Sequence, residues 1–266
     1  MAAIDPRAVV DPGASIGEDV TIGPFCVVGP HVSLGKGVVL HSHAVVVGHT
    51  SVGAGTAIFP FASIGHRPQD LKFRGERSSV AIGEGCLIRE GVTINPGTDQ
   101  GGLRTVVGDR CTLMAQVHVG HDCILGNDVV LSNNVMLAGH VTIGDAAILG
   151  GGVGVHQFVR IGEMAFVGGL SGLEGDLVPY GMAIGDRARL AGLNLVGLRR
   201  HGVPAASIAR LSDAFAILFS GESVLAERIE ALARRSGSES HVARLIDFVR
   251  GRGRRPLCRP AAAPMA

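Results

Sequence analysis

Hydrophobic positions recur at a fixed interval along most of this chain. Ile4, Val10, Ile16, Ile22, Val28, Leu34, Leu40, Val46, Val52, Ile58 and Ile64 fall every six residues. A second series runs Ile82, Ile88, Ile94, and a third runs from Val107 through Leu113, Val119, Leu125 and onward to Leu173. Glycine often follows the aliphatic residue, as in IGEDVT, and a small residue such as Ala14, Cys26, Thr56 or Cys123 stands four places after it. A period of six matches neither a helix nor a simple strand. It predicts short strands joined by tight corners, stacked as a solenoid with coils about 4.8 Å apart. The corners require residues tolerant of unusual φ, which accounts for the Gly and Asn content.

Two segments interrupt the period, GHRPQDLKFRGERSS at 65–79 and DQGGLRT at 99–105. Asp70 and Glu76 stand where aliphatics are due, and the second segment shifts the phase by one. Loops that leave a rigid scaffold are where function concentrates. Beyond Leu173 the pattern fades. From about 192 it turns helical: Pro204 suits a first turn, and Ile208, Leu211, Phe215 and Leu218 follow at helical spacing. Val224 to Leu232 and Val242 to Val249 predict two further helices. The chain thus divides into a solenoid over 1–190, a helical domain over 191–250, and a basic Ala/Pro-rich tail over 251–266 expected to be disordered.

Composition narrows the possibilities. Aromatics are 4% of 266 residues and Trp is absent, which suits a narrow interior of aliphatic side chains. A net charge of +1 gives no general case for nucleic acid or an anionic membrane. No run reaches the length of a membrane span, and residues 1–20 lack the basic and apolar regions of a signal peptide. The five Cys form no CxxC motif, and Cys26, Cys86, Cys111 and Cys123 occupy the small position of the repeat. Packing roles in a reduced, cytoplasmic protein follow.

This repeat resembles the hexapeptide-repeat, left-handed parallel β-helix family, and the handedness and the three-hexad coil are implied by that resemblance. Residues eighteen apart then stack. His121 lies one coil from Gly139, and Gly139 one coil from Gln157. Asp122 is next to His121 and one coil from His140, so either ring is a partner for the carboxylate. His118 and His156 lie close by. An imidazole is the usual general base near neutral pH, and a backbone N–H can hold an oxyanion. No Ser or Cys nucleophile sits in the cluster, which favours direct attack by an acceptor hydroxyl. A zinc enzyme of the γ-type carbonic anhydrase kind is an alternative on the same solenoid, disfavoured by the His118–His121 spacing and by the 65–79 loop.

The strings IGPFCVVGPHV (22–32), FASIGHRPQDLKFRGE (61–76), VTINPGTDQGG (92–102), HVGHDC (118–123), LAGHVTIG (137–144), VHQF (155–158) and GLNLVGLRRHG (192–202) resemble the UDP-N-acetylglucosamine O-acyltransferase family of lipid A biosynthesis. The likeness covers about residues 4–250. It implies His121 as general base, Asp122 as its orienting acid and Gly139 N–H as oxyanion donor. It implies substrate contacts from Gln69, Asp70, Lys72, His118, His140 and His156, and nucleotide contacts from Gln157, Asn194 and Arg200. Gly169 and Arg187 are implied at the acyl-chain pocket, the small Gly169 favouring a long chain and Arg187 opposing it. The implied donor is a (R)-3-hydroxyacyl group on the phosphopantetheine of acyl carrier protein, an acidic partner for the arginines near 199, 200 and 210. A homotrimer with sites between subunits is implied, with no metal and no other cofactor. Val196 and His201 depart from the family pattern near the nucleotide. Acylation of a 3-amino sugar, giving an amide, is the nearest alternative.

Overall fold

In the computed structural model, residues 1–220, 223–236, 240–251 and 253–261 are described. The hexads fold as the period requires. Each ends in a two- to four-residue strand, and successive strands are dealt in turn to three parallel sheets, which form the faces of a triangular prism. The regular register is eighteen residues, as in Ala3 with Thr21 and Val130 with Ile148. The first loop lengthens one coil to thirty residues, pairing Ala57 with Leu87, so it inserts two whole hexads and leaves the phase intact. The second lengthens a coil to twenty-five, pairing Thr93 with His118, which is the one-residue shift seen in the sequence.

The strand-ending aliphatics point inward and most are fully buried, among them Ile58, Ile64, Leu113 and Leu137. Each contributes about 1.5–3 kcal/mol on leaving water. The small residues four places on fill the space beside them, and all four cysteines of the repeat do so with no exposure. Backbone bonds between coils, such as Gly17 N–H to the Leu34 carbonyl at 2.8 Å, complete the stack.

The glycine that follows the aliphatic residue has a different task from the one expected. The left-handed residue of each corner is two places further on, and it is mostly not glycine: Asp122 has φ 60°, His140 63° and Phe158 67°. At Gly17 an added Cβ would lie 2.8 Å from the Leu34 carbonyl oxygen of the next coil. Glycine is needed there for close approach of backbones, not for φ.

The solenoid ends in an antiparallel hairpin, 181–184 with 189–193, that the periodicity did not indicate. Four helices follow among the described residues: α1 (Leu195–Arg200), α2 (Ala205–Phe219), α3 (Leu225–Ser236) and α4 (Ser240–Arg250). Pro204 is the N-cap of α2 rather than its first turn. Leu211, Phe215 and Leu218 of α2, Ile229 and Leu232 of α3, and Val242, Leu245, Ile246 and Val249 of α4 form their common core. Arg244 of α4 reaches the buried Tyr180 hydroxyl at 2.9 Å and pins the bundle to the solenoid.

The tail departs from expectation over its described part. Residues 253–261 do not hang free. The Asp176 N–H donates to the Pro256 carbonyl and the Cys258 N–H to the Asp176 carbonyl, each at 2.8 Å. Cys258 is buried. A basic, proline-containing composition had suggested disorder, but the segment borrows its order from unpaired backbone at the solenoid's end. Arg252 and residues 262–266 lie outside the described residues.

Candidate active site

The corner between the second and third sheets carries the reactive groups. Successive coils place Asp122, His140 and Phe158 at its left-handed position, with His121, Gly139 and Gln157 immediately before them. Asp122 is the anchor: its side chain has no exposure. Its Oδ1 accepts the Thr98 N–H at 2.8 Å and its Oδ2 the Thr98 hydroxyl at 2.6 Å. Its own N–H donates to Thr105 Oγ1 at 2.8 Å. Burial works against its charge, yet hydrogen bonds from His121 and Thr98 together hold the carboxyl below its usual value of 3.8.

The two candidate partners of Asp122 are resolved by distance. His121 Nδ1 lies 2.8 Å from Asp122 Oδ2, whereas His140 Nδ1 lies 3.7 Å away, beyond a hydrogen bond. An ionised carboxylate only accepts, so Nδ1 of His121 carries the proton and Nε2 keeps a free lone pair. His140 stands edge-on to His121 at 4.9 Å between ring centres and stacks on Phe158 at 4.4 Å. Burial lowers its proton affinity, despite the opposing pull of Asp122. His118, half-buried and bonded to Thr93 Oγ1 at 2.7 Å, is lowered for the same reason, with His121 adding repulsion.

Gly139 lies under the His121 ring. A Cβ there would fall 2.4 Å from Cε1 and 2.5 Å from Nε2 of the imidazole. The Gly139 N–H has no acceptor among the described residues. A base lone pair and an unoccupied donor thus adjoin, the combination needed to deprotonate a hydroxyl and to hold a developing oxyanion. The donor atoms of His121, Asp122 and His140 lie within 4.8 Å of one another, a spacing a metal ion could bridge. Both oxygens of Asp122 are already committed to hydrogen bonds with Thr98 and His121, which fits a positioned acid–base pair better than a ligand set.

Two recesses open near the pair, one through Thr98 and the other through Ala138, and neither is lined by His121 or Asp122 themselves. One, of about 700 Å³, lies between the loops and is lined by Asp70, Lys72, Glu76, Thr98 and Asp99. Asp70 also uses Oδ1 to accept the Lys72 N–H at 2.9 Å, shaping its own turn. Gln69 is exposed on the same loop. The other, of about 410 Å³, is an apolar groove on the second sheet running from His118 and His156 to Glu174 and Arg187. Its floor follows from the register Met136, Gly154, Gly172. Nothing lies within 4 Å of a Cβ placed on Gly154. Glycines at the outward strand position, where other hexads carry Thr, Ser or Val, were the sequence signal for this groove.

Three expected residues stand apart within one chain. Asn194 caps α1, accepting the Gly197 N–H at 3.0 Å and donating to the Met164 carbonyl at 2.9 Å. Met164 marks the corner between the third and first sheets, so Asn194 and Arg200 sit along a different edge of the prism from His121. Gly169 is exposed at the corner between the first and second sheets and does not line the groove. Arg187 does line it, paired with Glu174 at 2.7 Å. Thr98, Thr105 and Phe158 were not singled out from the sequence, although Thr98 lies inside the VTINPGTDQGG string.

Comparisons with known proteins bear on this arrangement. The family model described as UDP N-acetylglucosamine O-acyltransferase, domain 2, matches residues 176–258, and that of the bacterial transferase hexapeptide (six repeats) matches 13–48 and 104–139. The acyl-(acyl-carrier-protein)–UDP-N-acetylglucosamine O-acyltransferase of Rhizobium johnstonii is 49% identical over 97% of this chain and 95% of its own. That of Methylobacterium radiotolerans is 56% identical over 78% of this chain and 76% of its own. The chain belongs to the UDP-N-acetylglucosamine O-acyltransferase family. The acyltransferase is also similar to the solved UDP-N-acetylglucosamine O-acyltransferase of Moraxella catarrhalis, with a TM-score of 0.94 at 40% identity, covering 96% of this chain and 99% of that one. The Francisella novicida UDP-N-acetylglucosamine acyltransferase matches over 100% of both chains, with a TM-score of 0.94 at 34% identity. The fold is accordingly a left-handed parallel β-helix with a C-terminal helical domain. Among the described residues no helix of the acyltransferase is long and apolar enough to cross a membrane.

Proposed function

We propose that this acyltransferase moves a (R)-3-hydroxyacyl group from the phosphopantetheine thioester of acyl carrier protein to the 3-hydroxyl of UDP-N-acetylglucosamine, the first step of lipid A synthesis. The observation that carries the reading is the His121–Asp122 pair seated over Gly139 with Nε2 and the amide N–H both unengaged. His121 Nε2 takes the proton as the sugar oxygen attacks the thioester carbon. The Gly139 N–H holds the oxyanion. Collapse expels the carrier's thiolate, which recovers the proton from the imidazolium. The base supplies about 10²–10⁴-fold in rate and one oxyanion donor about 10²–10³-fold.

The groove from His118 to Arg187 is the place for the acyl chain, and the polar recess with Gln69, Asp70 and Lys72 the place for the sugar. His140 and His156 line the path between them. Gln157, Asn194 and Arg200 serve the nucleotide, a fixed guanidinium suiting its diphosphate. Asn194, Arg200 and Gly169 reach the site only from a neighbouring copy, which supports a homotrimer with sites between subunits. The reaction needs no metal and no cofactor beyond the carrier's own arm, and both substrates place it in the cytoplasm.

His121→Ala tests the reading. It should fold normally and lose two or more orders of magnitude in turnover; near-normal activity refutes the base assignment. Mass spectrometry of products from UDP-N-acetylglucosamine and its 3-amino analogue reports the acceptor. Ester from the former supports the proposal, and amide from the latter alone overturns it.

A further inference from the structure

Along the active corner, Asp122, His140 and Phe158 follow one another on successive coils. The middle residue, His140, is mostly enclosed, with 15% of its side chain exposed. Asp122 does not orient it. His140 Nδ1 is 3.7 Å from Asp122 Oδ2, and that oxygen already accepts the Thr98 hydroxyl at 2.6 Å and meets His121 Nδ1 at 2.8 Å. Neither ring nitrogen of His140 has a hydrogen-bond partner among the described residues. What the ring has instead is Phe158. The two rings lie 4.4 Å apart and 12° from parallel. The same coil offset stacks Phe25 with His43 and His43 with Phe61, but more loosely, at 5.0 Å and 33° and at 5.1 Å and 28°. Phe158 is itself held, since Arg254 of the ordered tail lies over its ring at 4.5 Å from the centre.

We infer that Phe158 is a positioning residue for acyl transfer, holding the His140 ring in the plane in which it meets the substrate. The χ2 torsion of an imidazole is broad and soft, so a ring without a hydrogen bond swings unless a flat surface lies against it. Parallel aromatic stacking supplies that surface and ties up neither nitrogen. A turn about χ2 would drive an edge of the imidazole into the Phe158 face and break the stack. The other neighbour is the base itself: His140 stands edge-on to His121 at 4.9 Å between ring centres. A swing of His140 would therefore also change the wall against which His121 works. Phe158 keeps both nitrogens of His140 free for substrate while fixing the direction in which they are offered. The inference rests on the proposed function for the role of His140, but not for the stack.

The experiment has two parts. In full-length protein labelled with ¹³C at histidine, with His140 assigned through His140→Gln, at least one of the His140 Cε1–H and Cδ2–H protons should be moved upfield by the Phe158 ring current. Phe158→Leu should return it to the ordinary imidazole position. Leucine already occupies left-handed corners of this chain at 103 and 170, so the fold should accept it. Ordinary shifts in the parent, or an unchanged spectrum in Phe158→Leu, overturn the inference. In steady-state assays Phe158→Leu should lower kcat/KM about fivefold, the rate equivalent of one stacked pair. Phe158→Tyr, which keeps the ring, should recover most of the loss. The same Phe158→Leu change made in a His140→Gln background should cost less than about twofold, because its target is gone. Equal losses in both backgrounds would mean that Phe158 does not act through His140. An active His121→Ala protein would remove the proposed site while leaving the ring-current result standing, so the two failures are distinguishable.

Discussion

Replacing Gly139 by alanine separates the base from its orienting acid without removing any hydrogen-bonding group. The added methyl would lie 2.4 Å from His121 Cε1, whereas an ordinary carbon contact is about 3.5 Å. The imidazole must retreat by about 1 Å, and a 2.8 Å bond to Asp122 Oδ2 stretched that far leaves the hydrogen-bonding range. Displacement of a catalytic group by about 1 Å costs on the order of 100-fold in rate, or about 2.7 kcal/mol of barrier. The Gly139 φ is not left-handed and the obstructing group is a side chain, so the fold should persist with a nearly unchanged melting temperature. Alanine keeps the amide N–H, so the loss belongs to the base. The assay is initial-rate ester formation from acyl carrier protein thioester and UDP-N-acetylglucosamine, beside a thermal melt. A stable Gly139→Ala enzyme with parental kcat would refute the idea that the ring must lie over this residue.

Asp122→Asn should keep the fold and reduce kcat by at least about 100-fold, since a neutral amide no longer fixes the His121 tautomer; a pH–rate profile with parental amplitude would contradict this. His118 and His140 have folded-state proton affinities below the ordinary imidazole value of 6.5. The unfolded chain therefore binds more protons below about pH 6.5, and their contribution to stability, present above that value, is lost as pH falls through the folded values. Urea midpoints should fall between about pH 7.5 and pH 5, and His118→Gln should flatten the dependence. Gly53→Ala should destabilise by about 1–3 kcal/mol, because its Cβ would lie 2.4 Å from the Gly83 carbonyl carbon, which is backbone and cannot turn aside. Chemical denaturation measures that loss.

The solenoid was legible because one rule, an inward aliphatic every sixth residue, leaves a mark at every coil. The offset of eighteen, implied by the family likeness, then located His121 beside Gly139 before any coordinates. Less was legible where residues meet by chance of insertion. Thr98 reaches Asp122 only because the second loop returns one residue out of phase, and no periodic argument predicts that contact. Asn194 and Arg200 were grouped with His121 through the family likeness, while geometry puts them on another edge. Gly17 and its equivalents looked like turn formers, but φ and crowding are indistinguishable in a one-letter code. The tail misled because composition reports on self-sufficiency, and this segment gets its order from Asp176.

The corner that aligns His121 with Gly139 also constrains chain length. Each rung adds about 4.8 Å along the prism, so eighteen further residues between Asp122 and His140 would satisfy every packing requirement and still part the two halves of the cluster by a full step. Stability is indifferent to such an addition, but activity is not. The solenoid can therefore be extended at its termini or lengthened at its corners, while the interval across this one rung must hold to the residue.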